Sequence, residues 1–237
     1  SSAINGQMFL RGVPEDYDTW ASFGNDQWNF QSLIPYFRKM ESDTDFRDDF
    51  HGTDGPIIAR RFKPNEWLPA QTAFHSACND YGFPDSPDHN SPDATGIGPT
   101  PYNNPNGIRW STALGYLDPA RHRLNLTLRP NCTVHRLLIE GGRVTGIEVE
   151  SGGERFVVES ERTVLSAGTI GNPHILMLSG VGPEEHLDDM GVPVIHDLKG
   201  VGENFSDHPM NFVTAAVKDF SALDGVAPRL GLGLRYS

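Results

Sequence analysis

The sequence predicts an α/β (α+β) fold. Three observations carry the prediction. Apolar residues recur at helical spacing in two early stretches, short alternating segments crowd the chain from residue 124 onward, and 25 glycines with 18 prolines among 237 residues mark a loop-rich chain, not a helical bundle. With 37% hydrophobic and 21% charged residues the composition is globular, and the length suffices to bury a core without disulfides or a structural metal. A formal charge of −12 with no Lys/Arg cluster argues against nucleic acid, whose phosphates demand concentrated positive charge. The longest apolar run, Ile175 to Leu178, is far short of the roughly 20 residues that cross a bilayer, so no membrane span is expected.

In chain order, the first helix is read over residues 30–42, where Phe30, Leu33, Ile34, Phe37 and Met40 share a face despite Pro35. The second covers Leu68 to Tyr81, with Ala70, Ala73, Phe74 and Ala77 on one face and Gly82 as a left-handed stop. From Gly82 to Gly107, Pro, Asp, Asn and Ser predominate without an apolar period, which reads as a long irregular segment. Strand candidates follow at residues 124–130, 134–140, 143–150, 154–160 and 163–168, with Gly141-Gly142 and Ser151-Gly152-Gly153 as the turns of an antiparallel meander. Asn172 as N-cap, Pro173 at the first helical position and Gly180 at the stop define a short helix. Another runs from Pro183 to Met190 and closes on Gly191.

Cys78 and Cys132 are too few for a disulfide framework or a four-thiolate zinc site and are expected as buried thiols. The chain opens on Ser1-Ser2 with neither Met nor a signal-peptide pattern, and it stops within the apolar alternation of residues 231–237. The expectation is an internal segment of a longer protein, soluble and cytoplasmic. Two turns, at residues 1–6 and 166–171, pass through glycine in the manner that lets a phosphate or a ring approach the backbone without a Cβ in the way. Such turns also occur simply to pack a helix on a sheet.

Four ordered blocks give the turns a context. SSAINGQMFLRG at 1–12, GIRWSTALGYLDPA at 107–120, SAGTIGNPHILMLSGVGP at 166–183 and KGVGENFSDHP at 199–209 resemble the glucose-methanol-choline (GMC) family of flavoprotein oxidoreductases, with FHGTDGPI at 50–57 as weaker support. The resemblance implies an FAD-binding, Rossmann-like fold interleaved with a substrate domain on an antiparallel sheet, incomplete at both ends. By analogy, residues 1–45 skirt the flavin, 46–100 enter the substrate domain, 101–205 return to the FAD fold and 206–237 begin the substrate sheet.

The resemblance also implies cofactor contacts. Ser1, Asn5, Gly6, Gln7 and Met8 would meet the flavin and its phosphates, the Val134 backbone would meet the adenine edge, and Ala167 and Gly168 would lie beneath the ADP portion. A turn of small residues offers backbone N–H donors at close range, and Asn5 adds a side-chain donor and acceptor. Gln7 departs from the Met usual in the family, so its backbone is the expected contact. Some relatives bind the flavin covalently through a His just before this Asn; Ile4 stands there, so FAD is expected to be non-covalent. Asn172 replaces the usual Ser, and both residues cap helices.

The implied activity is oxidation of a small-molecule alcohol to an aldehyde or ketone, choline-dehydrogenase-like, by hydride transfer to flavin N5, with oxygen or a quinone as acceptor. The alternatives are an FAD-containing hydroxynitrile lyase of the same family and a non-catalytic binding module. The family's histidine base lies in a C-terminal part, so no catalytic residue is expected among these 237 residues, and turnover by them alone is not expected. His208, in Asp207-His208-Pro209, is read as structural, and His51 and His174 as parts of motifs. No metal is expected: no His pair has H-x-x-x-H spacing, and Asp85, Asp88 and Asp93 lack the calcium-loop pattern and read as a solvated loop. Met177 sits where a G-x-S-x-G elbow needs glycine, which leaves Ser179 without hydrolase context. Asn125, Asn131 and Asn204 open N-x-S/T triplets, for which chance is an equal explanation.

Overall fold

A computed structural model gives the fold and describes every residue except 1, 214, 215, 217, 226, 229 and 237. The first half of the chain carries α1 (Pro14–Ser22), α2 (Phe30–Met40), β1 (Glu41–Asp43), β2 (Ile57–Arg61), α3 (Pro69–Asp80), β3 (Gly96–Pro99), β4 (Pro101–Tyr102) and α4 (Asp118–Ala120). After it come β5 (Thr133–Glu140), β6 (Arg143–Ser151), β7 (Glu154–Glu159), α5 (Gly168–Leu178), β8 (Val181–Gly182), α6 (Glu184–Asp189), β9 (His196–Asp197) and β10 (Leu232–Arg235). The mixture of helix and strand is the predicted one. Residues 1–123 with 214–237 make one compact unit and residues 124–213 a second.

In the first unit, α2 starts where Asn29 accepts the Ser32 N–H at 2.9 Å, a side-chain cap that satisfies one of the helix's orphan donors. The helix runs straight into β1, which pairs parallel with β2, and β4 pairs antiparallel along the other edge of β2. α3 ends as predicted: Gly82 takes φ +98°, and the Phe83 N–H returns to the Cys78 carbonyl. The segment read as irregular, 82–107, in fact holds β3 and β4. β3 is a strand because β10 pairs with it, Leu232 opposite Pro99 through Arg235 opposite Gly96. That partner is more than a hundred residues away, so no local period announces it. Phe62, Tyr102 and Ala227 pack in a buried cluster with Trp67 against it, and the Tyr102 hydroxyl donates to the Leu230 carbonyl at 3.0 Å.

The second unit is built on the meander β5-β6-β7. Glu140 opposes Arg143 and Ser151 opposes Glu154, leaving two-residue loops, Gly141-Gly142 and Gly152-Gly153, in which every φ is positive. Hairpin turns of this hand suit the twist of the strands, and glycine adopts them without strain. Residues 124–130 and 163–168 form no strand, contrary to their alternation; Leu124 is fully exposed, and no ladder forms to satisfy their backbone. α5 starts at Gly168, four residues before the expected N-cap, with Pro173 inside it. Asn172 instead accepts the Ala167 N–H at 2.8 Å from within the helix, so its amide still serves an orphan donor of the first turn. Ser179 joins α5 to β5: its hydroxyl accepts the Leu137 N–H at 2.8 Å and donates to Ile175. Cys78 is buried as expected, whereas Cys132 is half-buried.

Candidate functional site

The opening segment is a backbone turn held from outside. Asn5 and Gln7 both have left-handed φ, +66° and +64°, flanking Gly6. Arg109 fixes the turn by donating to the Ile4 carbonyl at 2.9 Å and the Asn5 carbonyl at 2.8 Å, a use of the guanidinium fork that a lysine cannot copy. The Ser2 hydroxyl meets the Thr112 side chain and accepts the Thr112 N–H at 3.0 Å. Blocks 1–12 and 107–120 are therefore one structure. Sequence reasoning placed both blocks and gave Arg109 no role; two carbonyls presented together to one guanidinium exist only after folding. Downstream, Met8 bridges Tyr102 and the Phe9 N–H donates to Pro101.

The second unit brings the other two blocks together. A groove of about 640 Å³ runs between α5 and the segment after β9, lined by Thr169, Asn172 and His174 on one side and Gly202, Asn204 and Phe205 on the other. Gly168 opens α5 at φ +85°, and a Cβ there would meet no atom within 4 Å. Val134 lies half-buried on β5, the edge strand of the meander, paired to Val149 just before a register shift at His135. Of the proposed contacts, Asn5, Gly6, Gln7 and Met8 belong to the first unit and Val134, Ala167 and Gly168 to the second; Ser1 lies outside the described residues.

Acidic residue Asp88 is not solvated, as its loop had suggested. It is buried in a charge cluster of the first unit. Arg61, its side chain 2% exposed, donates to both Asp43 oxygens at 3.0 and 2.8 Å and to Asp88 at 2.5 Å. Arg11 binds Glu41 at 2.6 Å and the Phe50 carbonyl at 2.7 Å. His51 completes the set, with Nδ1 2.8 Å from Asp48 and Nε2 3.2 Å from Asp88 and 3.7 Å from Asp43. The Nε2 contact with Asp88 lacks hydrogen-bond alignment, so it acts through charge. Glu41, Asp43 and His51 present atoms within 4.8 Å of one another, as a metal site would, but both carboxylates are already committed to Arg11 and Arg61.

His51 faces Asp48, Asp88 and Asp43, which favour a positive charge on its ring. Burial opposes that charge on His51, but Asp88, Asp48 and Asp43 outweigh burial and raise its pKa above the ordinary 6.5. Burial likewise opposes the charge on Asp88, and His51, Arg61 and the Asn90 N–H overcome it to hold Asp88 at about 2. A histidine with a raised folded pKa stabilises fully below its unfolded value and loses that stabilisation as pH climbs through the folded value. Asp88 does the reverse, its contribution present above 3.8 and lost as pH falls toward about 2. The thermal midpoint is expected to fall with rising pH above 6.5, and His51→Gln to flatten that limb and to weaken the acid limb as well, because His51 is one of the groups that hold Asp88 low. Melting curves across pH 2–9 check this; an unchanged alkaline limb in the variant would reject His51 as its source.

Comparison with known proteins follows the same blocks. Residues 1–210 match the GMC oxidoreductase family. An uncharacterised GMC-type oxidoreductase of Rhodococcus erythropolis is 42% identical over 209 residues, 88% of this chain and 42% of that protein. An oxygen-dependent choline dehydrogenase of Photobacterium profundum is 40% identical over 209 residues, 88% of this chain and 37% of its own length. Among solved structures, pyridoxine 4-oxidase from Mesorbium loti superposes with a TM-score of 0.79 at 32% identity, over 84% of this chain and 39% of that one. A fungal aryl-alcohol oxidase does so at 0.77 and 26% identity, over 85% and 37%. The chain thus spans about two fifths of the length of the curated relatives it matches.

Proposed function

Because the chain belongs to the GMC oxidoreductase family, we propose that the protein binds FAD without a covalent bond and oxidises a small-molecule alcohol to an aldehyde or ketone. The observation that carries this is the pairing of the four blocks into two backbone cradles, one at the Asn5-Gly6-Gln7 turn and one at the start of α5. Both suit a dinucleotide. Gly168 leaves room where a side chain would stand, and the first-turn amides of an 11-residue helix attract phosphate oxygens. Ala167 and Gly168 would lie under the ADP portion, and Val134, on an edge strand, would offer backbone groups to the adenine. Asn5, Gly6, Gln7 and Met8, with Ser1, would line the flavin end. The division into flavin-contacting 1–45, substrate 46–100, FAD-fold 101–205 and substrate-sheet 206–237 segments belongs to the same proposal.

The chemistry that FAD supplies when bound is acceptance of a hydride at N5. The chain's own part is positional. Arg109 keeps the Ile4 and Asn5 carbonyls engaged, so the turn presents its remaining groups in one conformation, and orientation of this kind lowers the barrier without any new bond. Ile4, 64% exposed, offers no nucleophile for attachment. We assign the proton-abstracting base to neither buried histidine, since His51 is fixed among carboxylates and His89 is held by the Gly98 and Gly233 carbonyls. The relatives named an oxygen-dependent choline dehydrogenase and an aryl-alcohol oxidase favour oxygen over a quinone as acceptor.

The test uses the protein as its natural gene encodes it. Under anaerobic conditions an alcohol from a panel that includes choline, pyridoxine and an aryl alcohol is expected to bleach the flavin absorbance, and acid precipitation is expected to release all the flavin into the supernatant. A colourless protein would overturn the cofactor reading, a flavin left in the pellet would overturn non-covalent binding, and a yellow protein bleached by no alcohol would overturn the substrate class.

A further inference from the structure

The first unit holds a pocket of about 500 Å³ bounded by the end of β2, the turn after it, α3 and β3. Aromatic rings make much of its wall. Trp67 is fixed there by its indole N–H, which donates to the Phe62 carbonyl at 2.9 Å, and its ring lies against that of His75 with centroids 5.1 Å apart. Phe46 and Phe62 supply two more rings, and Pro64, Pro87 and Pro99 add apolar surface. A pocket of this size, walled mostly by apolar and aromatic groups with a few polar ones, suits a small molecule.

The charges around the pocket select against an ion. Its three basic side chains each already meet a carboxylate: Lys63 meets Asp45 at 2.5 Å, His75 meets Asp85 at 2.9 Å, and Arg61 meets Asp43 and Asp88. An anion would have to displace one of these carboxylates. A cation fares no better. One face of each phenyl ring already carries a guanidinium, Arg61 at 4.6 Å from the Phe46 centroid and Arg60 at 4.2 Å from that of Phe62, and their like charge repels it. A neutral guest displaces nothing, and an aromatic one gains edge or offset contact with Trp67 in addition to the area it buries. We propose that this pocket binds a neutral aromatic molecule of one or two fused rings, with Trp67 as its principal contact. No flavin takes part in that binding, so the flavin reading and this proposal fail separately.

Indole is the probe, with benzoate and benzylammonium as charged aromatic controls. In the gene's full protein, saturation-transfer NMR is expected to give indole a Kd on the order of 1 mM. Two variants locate it. Trp67→Leu removes the principal ring, and Asp85→Trp places bulk at the rim, where the Asp85 side chain is 69% exposed. Each is expected to weaken indole about tenfold or more, while benzoate and benzylammonium bind all three proteins alike because neither enters the pocket. Should Trp67→Leu fail to fold, Asp85→Trp decides alone. Absence of saturable indole binding, as when the rest of the protein's own chain fills the pocket, would overturn the proposal. So would equal indole affinity in the unaltered protein and Asp85→Trp, which puts indole elsewhere. A loss for either charged control as large as the loss for indole would overturn the selection for a neutral guest.

Discussion

Arg61→Ala is expected to lower the unfolding free energy by about 3–5 kcal/mol, because it strands two buried carboxylates without their counter-charge. Asp43 is completely shielded in its side chain and Asp88 nearly so, and Arg61 donates hydrogen bonds to both. The favourable pairing energy of such a cluster is offset by desolvation of its members, so its presence is no sign of extra stability; the loss comes from breaking it half-way. Lys63→Ala provides the contrast. Lys63 also meets a carboxylate, Asp45, at 2.5 Å, but its side chain is 57% exposed, and exposed pairs contribute about 0–1 kcal/mol. Urea unfolding of both variants decides the matter: equal, small losses would mean that the cluster is hydrated and that burial has been given too much weight.

Gly98→Ala is expected to be comparably damaging for a different reason. A Cβ at Gly98 would stand 1.6 Å from the Ser86 carbonyl oxygen and 2.7 Å from its carbon, and both are backbone atoms that cannot swing aside. The residue is held on its other side as well, opposite Gly233 of β10, while its carbonyl faces the His89 ring at 3.2 Å. To admit the methyl group, β3 must leave either the 84–86 segment or β10, and we expect a loss of about 3 kcal/mol or more, at the upper end for overpacking. Gly200→Ala, with no atom within 4 Å of the added Cβ, is expected to change stability by less than about 0.5 kcal/mol. Thermal unfolding of the pair is the measurement, and a Gly98→Ala protein that melts with the unaltered one would show that the two segments are free to separate.

The two outcomes depend on features of unequal visibility in the sequence. Helices α2 and α3 and the three strands of the meander were legible because each carries its own signal: a 3.6-residue apolar period, or an alternation closed by paired glycines. The reading failed where the signal was local and the cause was not. Residues 124–130 alternate like a strand and find no partner, whereas the Gly-rich β3 lacks alternation and becomes a strand through β10. Asp88 looked solvated among prolines and asparagines, but Arg61 reaches it across 27 positions.

The sequence by itself determined the family, through four ordered blocks, along with the mixed fold and the turns that approach a cofactor, because each is written in contiguous residues with fixed backbone preferences. The tertiary structure alone decided that these blocks join in pairs, that Arg109 clamps the first turn, and that Arg11, Arg61 and His51 meet a buried acidic cluster. Charge pairing, acceptor satisfaction and the space available to a Cβ are properties of neighbours in space, and chain order does not specify them.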